Sequence, residues 1–158
     1  MTRDVDDRRF LDAAIALARG NVERGGRPFG ALVVKDGAVI ATGVNTILAT
    51  NDPTAHAEMS AIRAASQALA SPDLSGCTVY ASGHPCPMCL AAMRMAGVGE
   101  VAFAYSNEDG APFGLSTAAI YDELRRPFAE QSMTIRHVGA ADAAAPAIYI
   151  EWQHADRG

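Results

Sequence analysis

Apolar side chains near the start of the chain recur on one helical face. Phe10, Ala13, Ala14, Leu17 and Ala18 stand at helical spacing within residues 6–24, and Gly25-Gly26 ends the run. The period then changes. "FGALVVKDGAVIATGVN" reads as two short strands joined at Lys35-Asp36-Gly37, a hairpin with glycine where a positive φ is needed. "NTILATNDPT" is a polar loop, and from Thr54 a helical face returns through Ala57, Ala61, Ile62, Ala65 and Leu69, ending before Ser71-Pro72. "GCTVYASG" has the β-branched and aromatic content of a buried strand. The prolines of "HPCPMC" break it, and "MCLAAMRMAG" predicts a short helix closed by Gly97. Then come a strand "EVAFAYS", a loop "NEDGAPFG", a helix from Leu115 to Leu124 and a last strand "MTIRHV". "GAADAAAPA" reads as a flexible connector to a terminal piece, "IYIEWQH".

Strands alternating with helices predict a layered α/β domain with about five strands, covered on both faces. The opening hairpin is antiparallel and the later strand–helix–strand units favour parallel pairing, so the sheet is mixed. The expected organisation is one domain over residues 1–139, followed by a connector and C-terminal element over 140–158. No internal repeat is visible.

At 158 residues the chain is long enough to bury a core without staples. Apolar residues make up 49% and charged residues 20%, ordinary for a globular domain. No apolar run has the length of a membrane span, and "MTRDVDDRRF" lacks the apolar core of a secretion signal. Three cysteines without an export signal point to a reducing cytoplasm rather than a disulfide framework. The net charge of −5 gives no long-range attraction for nucleic acid. The densest basic stretches, "DDRRF" and "ELRRPF", are interleaved with acids and read as solvated helix faces.

Two of the cysteines change the picture. Cys86 and Cys89 stand three apart between prolines at a predicted helix entry, where N–H groups and the helix dipole favour thiolates. In "DPTAHAEMSAI", His56 and Glu58 stand two apart at the start of another helix. Residues at that spacing do not share a helix face, so one can meet a metal while the other points past it. One imidazole and two thiolates leave a fourth position for water, the arrangement of catalytic rather than structural zinc. Other uses of these residues stay open on spacing alone. Cys86 and Cys89 could form a redox pair, and Cys77 or His84 could close a structural site. Against those, Cys77 sits at the start of a predicted core strand, and Pro85 holds His84 extended along the chain.

His-x-Glu followed by Pro-Cys-x-x-Cys is the zinc-deaminase pattern. The chain resembles the cytidine and deoxycytidylate deaminase superfamily over almost its whole length. "GGRPFGALVVKDG", "NDPTAHAEMSAI" and "PCPMCLAAM" are most similar to bacterial guanine deaminases and, somewhat less, to tRNA adenosine deaminases. The resemblance implies a three-layer α/β/α fold, a homodimer, and one Zn²⁺ per chain on His56, Cys86 and Cys89 with a catalytic water. Glu58 then matches the proton shuttle. Asn45 matches the asparagine that bonds the base, the Ala57 backbone N–H faces substrate, and Phe29 lies in the pocket-lining "PFG" stretch. Two departures stand out. His84 precedes Pro85-Cys86 where the family has Glu. Ser116-Thr117 occupy the place where guanine-specific members carry an acidic residue that reads the base, with Glu108 and Asp109 a few residues earlier as substitutes. Tyr149, Trp152 and His154 of the terminal piece could close a pocket, of this subunit or of a partner.

Three functions follow for testing. The first is a cytoplasmic zinc-dependent hydrolase that removes the exocyclic amine of a small free base, with guanine the best single guess and cytosine, isocytosine, an aminotriazine or a nucleoside as other rings. The second is a tRNA adenosine-to-inosine deaminase, which wants a basic terminal helix and a positive channel; "EWQHADRG" and the surplus acid count against it. The third is a zinc-fold binding module without catalysis, which would be expected to lose Glu58 or a ligand. All four residues are present.

Overall fold

The computed structural model describes residues 3–141 and 147–155. Two compact units divide it, Met1–Asp122 and Glu123–Gly158. The first carries a four-stranded sheet in the order β2-β1-β3-β4, formed by β1 (Gly30–Lys35), β2 (Ala38–Val44), β3 (Cys77–Gly83) and β4 (Glu100–Tyr105). β1 pairs antiparallel with both β2 and β3, and β3 pairs parallel with β4, so the mixed sheet is present as expected. The hairpin turn is Asp36-Gly37, with φ of 51° and 75°. Both are left-handed, as a two-residue turn matching strand twist requires.

Each face of the sheet carries its own core. Leu32 and Val34 of β1 and Tyr80 of β3 pack with Phe10 and Ala14 of α1 (Arg3–Glu23). Ala31, Val33 and Val79 face the other way, onto α3 (Ala57–Leu69) and α4 (Pro87–Met95), where Ala61, Ile62, Ala65, Cys89 and Met93 are buried. A strand covered on both sides reads as a continuous apolar run, which is why "ALVV" does not alternate. Cys77 lies in the second core, as its position in the strand suggested.

Small residues set the distance between layers. A Cβ on Gly43 of β2 would lie 2.2 Å from the Ala57 carbonyl oxygen and 2.6 Å from the Ala61 nitrogen, both backbone. The start of α3 therefore sits directly on β2, and that contact places His56 and Glu58. Gly43→Ala is expected to destabilise the protein by about 3 kcal/mol, read from chemical denaturation. A change below the measurement error would mean that α3 can lift away without cost.

Among the described residues the sheet has four strands, and the expected fifth is not one of them. "MTIRHV" joins no ladder, and Met133 and Val138 are 70% and 75% exposed. Its β-branched residues suit a pleated surface, but strand formation follows from packing and pairing partners rather than from intrinsic preference. The helix expected from Leu115 begins later, as α6 (Ala118–Leu124), and short helices α2 (Ile47–Thr50) and α5 (Asn107–Gly110) occupy stretches expected to be loop. In the second unit "IYIEWQH" is helical, within α7 (Ala147–His154). Residues 142–146 of the expected connector lie outside the described residues.

Candidate active site

Two helix starts and one strand end meet at a single point. The Asp52 carboxylate accepts the Thr54 N–H at 2.8 Å and the Thr54 hydroxyl at 2.7 Å, tightening the turn that delivers His56 as N-cap of α3. Those bonds also hold the Asp52 carboxyl below its ordinary range. Ala57 and Glu58 follow in the first turn, both buried. Cys86 is the N-cap of α4, flanked by Pro85 and Pro87. Its sulfur accepts the Cys89 N–H at 3.4 Å. Proline at the first helical position lacks only a hydrogen bond that the helix could not use there. Asn45 follows the end of β2 and is 4% exposed.

The donor atoms lie close together. His56 Nδ1 is 3.5 Å from Cys86 Sγ and 3.7 Å from Cys89 Sγ. Zinc bonds of about 2.0 Å to nitrogen and 2.3 Å to sulfur give a tetrahedral N···S edge of about 3.5 Å. The set therefore fits a zinc ion in spacing and in ligand chemistry. Among the described residues these three form one group whose ligand atoms all lie within 4.8 Å. Bonding to Cys89 and then to His56 draws the Cys86 thiol well below its ordinary range, to about 4. The bond to Cys86 pushes the Cys89 thiol up and raises His56 as well. A zinc ion held by His56, Cys86 and Cys89 would favour the thiolate form of both cysteines.

Glu58 stands beside this group, its Oε2 3.6 Å from Cys89 Sγ. Burial holds its carboxyl above the ordinary range. A carboxyl raised toward neutrality beside a metal site can both accept and return a proton. A cleft of about 120 Å³ opens onto it, lined by His56, Glu58 and Cys86 with Arg27, Phe29, Asn45, His84 and the segment Gly114–Thr117. Asn45 Oδ1 accepts the Ile47 N–H at 3.3 Å. That backbone group can only donate, so the Asn45 amide hydrogens are the ones available to the cleft.

Residues 4–105 match the family model for the cytidine and deoxycytidylate deaminase zinc-binding region. The chain belongs to this family. It is a zinc-binding hydrolytic deaminase. A guanine deaminase of Bacillus subtilis is 42% identical over 138 residues, spanning 87% of this chain and 88% of its own. The crystal structure of guanine deaminase from Bacillus subtilis superposes with a TM-score of 0.87 at 37% identity, covering 100% of this chain and 98% of that one. A tRNA-specific adenosine deaminase of Aquifex aeolicus is 39% identical over 94 residues, 60% of this chain and 62% of its own.

Within this deaminase the other expected residues separate. Phe29, Asn45 and Thr117 line the cleft with Glu58, and Ala57 is buried at the helix start behind it. Glu108 and Asp109 do not line it. The Asp109 carboxylate accepts the Ser106 N–H at 2.8 Å and the Ser106 hydroxyl at 3.0 Å, capping α5, and Asp109 lines a neighbouring cavity of about 380 Å³ instead. Bonds to the α5 backbone and then to Ser106 hold Glu108 below its ordinary range. Trp152 is 62% exposed within the second unit, with Tyr149 and His154 on the same helix. Arg27, Leu115 and Asn107 were not singled out from the sequence. Arg27 and Leu115 reach the cleft, and Asn107 the neighbouring cavity, only in the folded chain.

Proposed function

We propose that this deaminase acts on a free aminated base, with guanine as the preferred ring and xanthine and ammonia as products. The observation that carries the reading is the match to the Bacillus guanine deaminase along nearly the whole of both chains. The tRNA-specific relative from Aquifex aligns with only 94 residues. The net charge of −5 likewise supports a small-molecule substrate over an anticodon arm.

In this reading His56, Cys86 and Cys89 hold one zinc ion per chain. Bound there, zinc supplies a nucleophile at neutral pH by lowering the pKa of water to about 7. Glu58 Oε2 takes the proton that water gives up and delivers it to the ring nitrogen next to the reacting carbon. It then takes the remaining proton from the oxygen now on the ring carbon and passes it to the exocyclic nitrogen, which leaves as ammonia while the ring carbon keeps the oxygen. Burial suits Glu58 to this, because a carboxyl raised toward the working pH exchanges protons in both directions at low cost. Asn45 turns its amide hydrogens to an acceptor on the base, and the Ala57 N–H, at the open start of α3, adds another donor. Phe29 supplies an apolar wall. Homodimeric assembly, a cytoplasmic location and a place in purine metabolism belong to the same reading, supported by the family and the cysteine usage. Among the described residues no helix is long and apolar enough to cross a membrane.

The test is an ammonia-release screen with zinc-loaded protein on guanine, adenine, cytosine, isocytosine, aminotriazines and their nucleosides, with an anticodon-arm RNA alongside. Guanine is expected to give the highest kcat/KM. Turnover confined to the RNA would overturn the reading. Thr117→Asp places a carboxylate in the cleft at the position where an acid is expected in guanine-specific members. It is expected to raise the guanine-to-isocytosine ratio of kcat/KM by about tenfold, the equivalent of one charge-assisted hydrogen bond. An unchanged ratio would show that this position does not read the base.

A further inference from the structure

We infer that Asn107 is a positioning residue that ties two separate segments of the cleft wall together and so sets how the base is seated against Glu58. The inference rests on the reading of that cleft as the base site. Asn107 itself does not line the cleft. It opens α5 and borders the neighbouring cavity. Its Oδ1 accepts the Thr117 N–H at 3.0 Å and the Thr117 hydroxyl at 3.5 Å, and its Nδ2 lies 3.3 Å from His84 Nδ1. Thr117 and His84 both line the cleft, the first at the end of the segment Gly114–Thr117 and the second just ahead of Cys86.

The polarity of this bridge follows from one group. A backbone N–H can only donate, so Asn107 must turn its oxygen to Thr117 and its amide hydrogens to His84. His84 Nδ1 then accepts, and the ring hydrogen sits on Nε2. Pro85 O accepts the Tyr121 hydroxyl and lies 3.0 Å from the same Nδ1, so an Nδ1–H tautomer bonded to Pro85 O is the competing arrangement, and measuring the tautomer decides between the two. The imidazole is further held edge-on by Phe103 and Tyr121, with ring centroids at 4.7 Å and 5.5 Å. Asn107 thus sets both the tautomer of a cleft-lining ring and the position of the threonine that stands where an acidic base reader is expected. Side chains that orient a site's own groups in this way govern seating more than chemistry.

Two variants separate the halves of the bridge. Asn107→Ala removes both. Asn107→Asp keeps an acceptor for Thr117 but cannot donate to His84. With the zinc-loaded full chain, Asn107→Ala is expected to raise KM about tenfold while kcat falls by less than about threefold, with zinc remaining at one per chain. Long-range ¹H–¹⁵N correlation spectra should show the Nε2–H tautomer of His84 in the native protein and a shift of the hydrogen to Nδ1 in Asn107→Asp. An unchanged KM, a loss confined to kcat, or a native Nδ1–H tautomer overturns the assignment. If the native protein deaminates no free base, the functional reading fails by itself, and the spectra still decide whether Asn107 sets His84.

Discussion

Glu58→Gln is expected to lower ammonia release at least about a thousandfold, toward the upper range for a general acid–base group, while the protein still binds one zinc ion per chain. The substitution keeps the shape of the side chain and removes only its ability to carry a proton. The three donor atoms at His56, Cys86 and Cys89 are untouched, so metal content should not follow activity. Stability should move the other way. Glu58 is buried, and burial holds its carboxyl above the ordinary range, so a neutral amide removes the cost of keeping a charge there. The melting temperature of Glu58→Gln should equal or exceed that of the native protein. Turnover within tenfold of native in the purified variant would exclude Glu58 as the shuttle. A parallel loss of zinc would make it a structural support for the metal rather than the proton carrier.

Cys89→Ala is expected to abolish activity and zinc retention together, and to destabilise the fold. Cys89 is fully buried, and its sulfur is one corner of a donor set whose spacing already matches the ion. A ligand that binds only the folded chain stabilises it by about 4 kcal/mol when present at about a thousand times its dissociation constant. For a chain of this size that amounts to roughly 10 °C in melting temperature. Chelation of the native protein should give a similar decrease, reversed by added zinc, whereas Cys89→Ala should show no response to either treatment. A Cys89→Ala protein that keeps one zinc ion per chain and melts like the native would remove Cys89 from the metal site.

Much of this was legible before folding was considered, for identifiable physical reasons. The helix faces of α1 and α3 repeat at the helical period because each buries one stripe on the sheet. The Asp36-Gly37 turn announces itself because few residues accept two successive left-handed conformations. The metal-site residues were readable because each pair sits on a helix start, where a short local pattern settles which way the side chains leave the backbone. "MTIRHV" shows the limit of local pattern. It has strand composition, yet its Met133 and Val138 remain exposed and it joins no ladder among the described residues, because a strand exists only where a neighbour accepts its hydrogen bonds.

The amino-acid order alone thus determined the succession of elements and the two local motifs, His56-x-Glu58 and Cys86-x-x-Cys89, since each rests on residues a few positions apart. Their meeting across about thirty residues is the work of the fold. The number of strands and the far wall of the cleft were decided by the tertiary structure. Arg27, His84, Asn107 and Thr117 come from three distant segments, and nothing local in any of them indicates that they will meet. Chain packing brings them within hydrogen-bonding range of one another or of the cleft, and with them whatever distinguishes one aminated ring from the next.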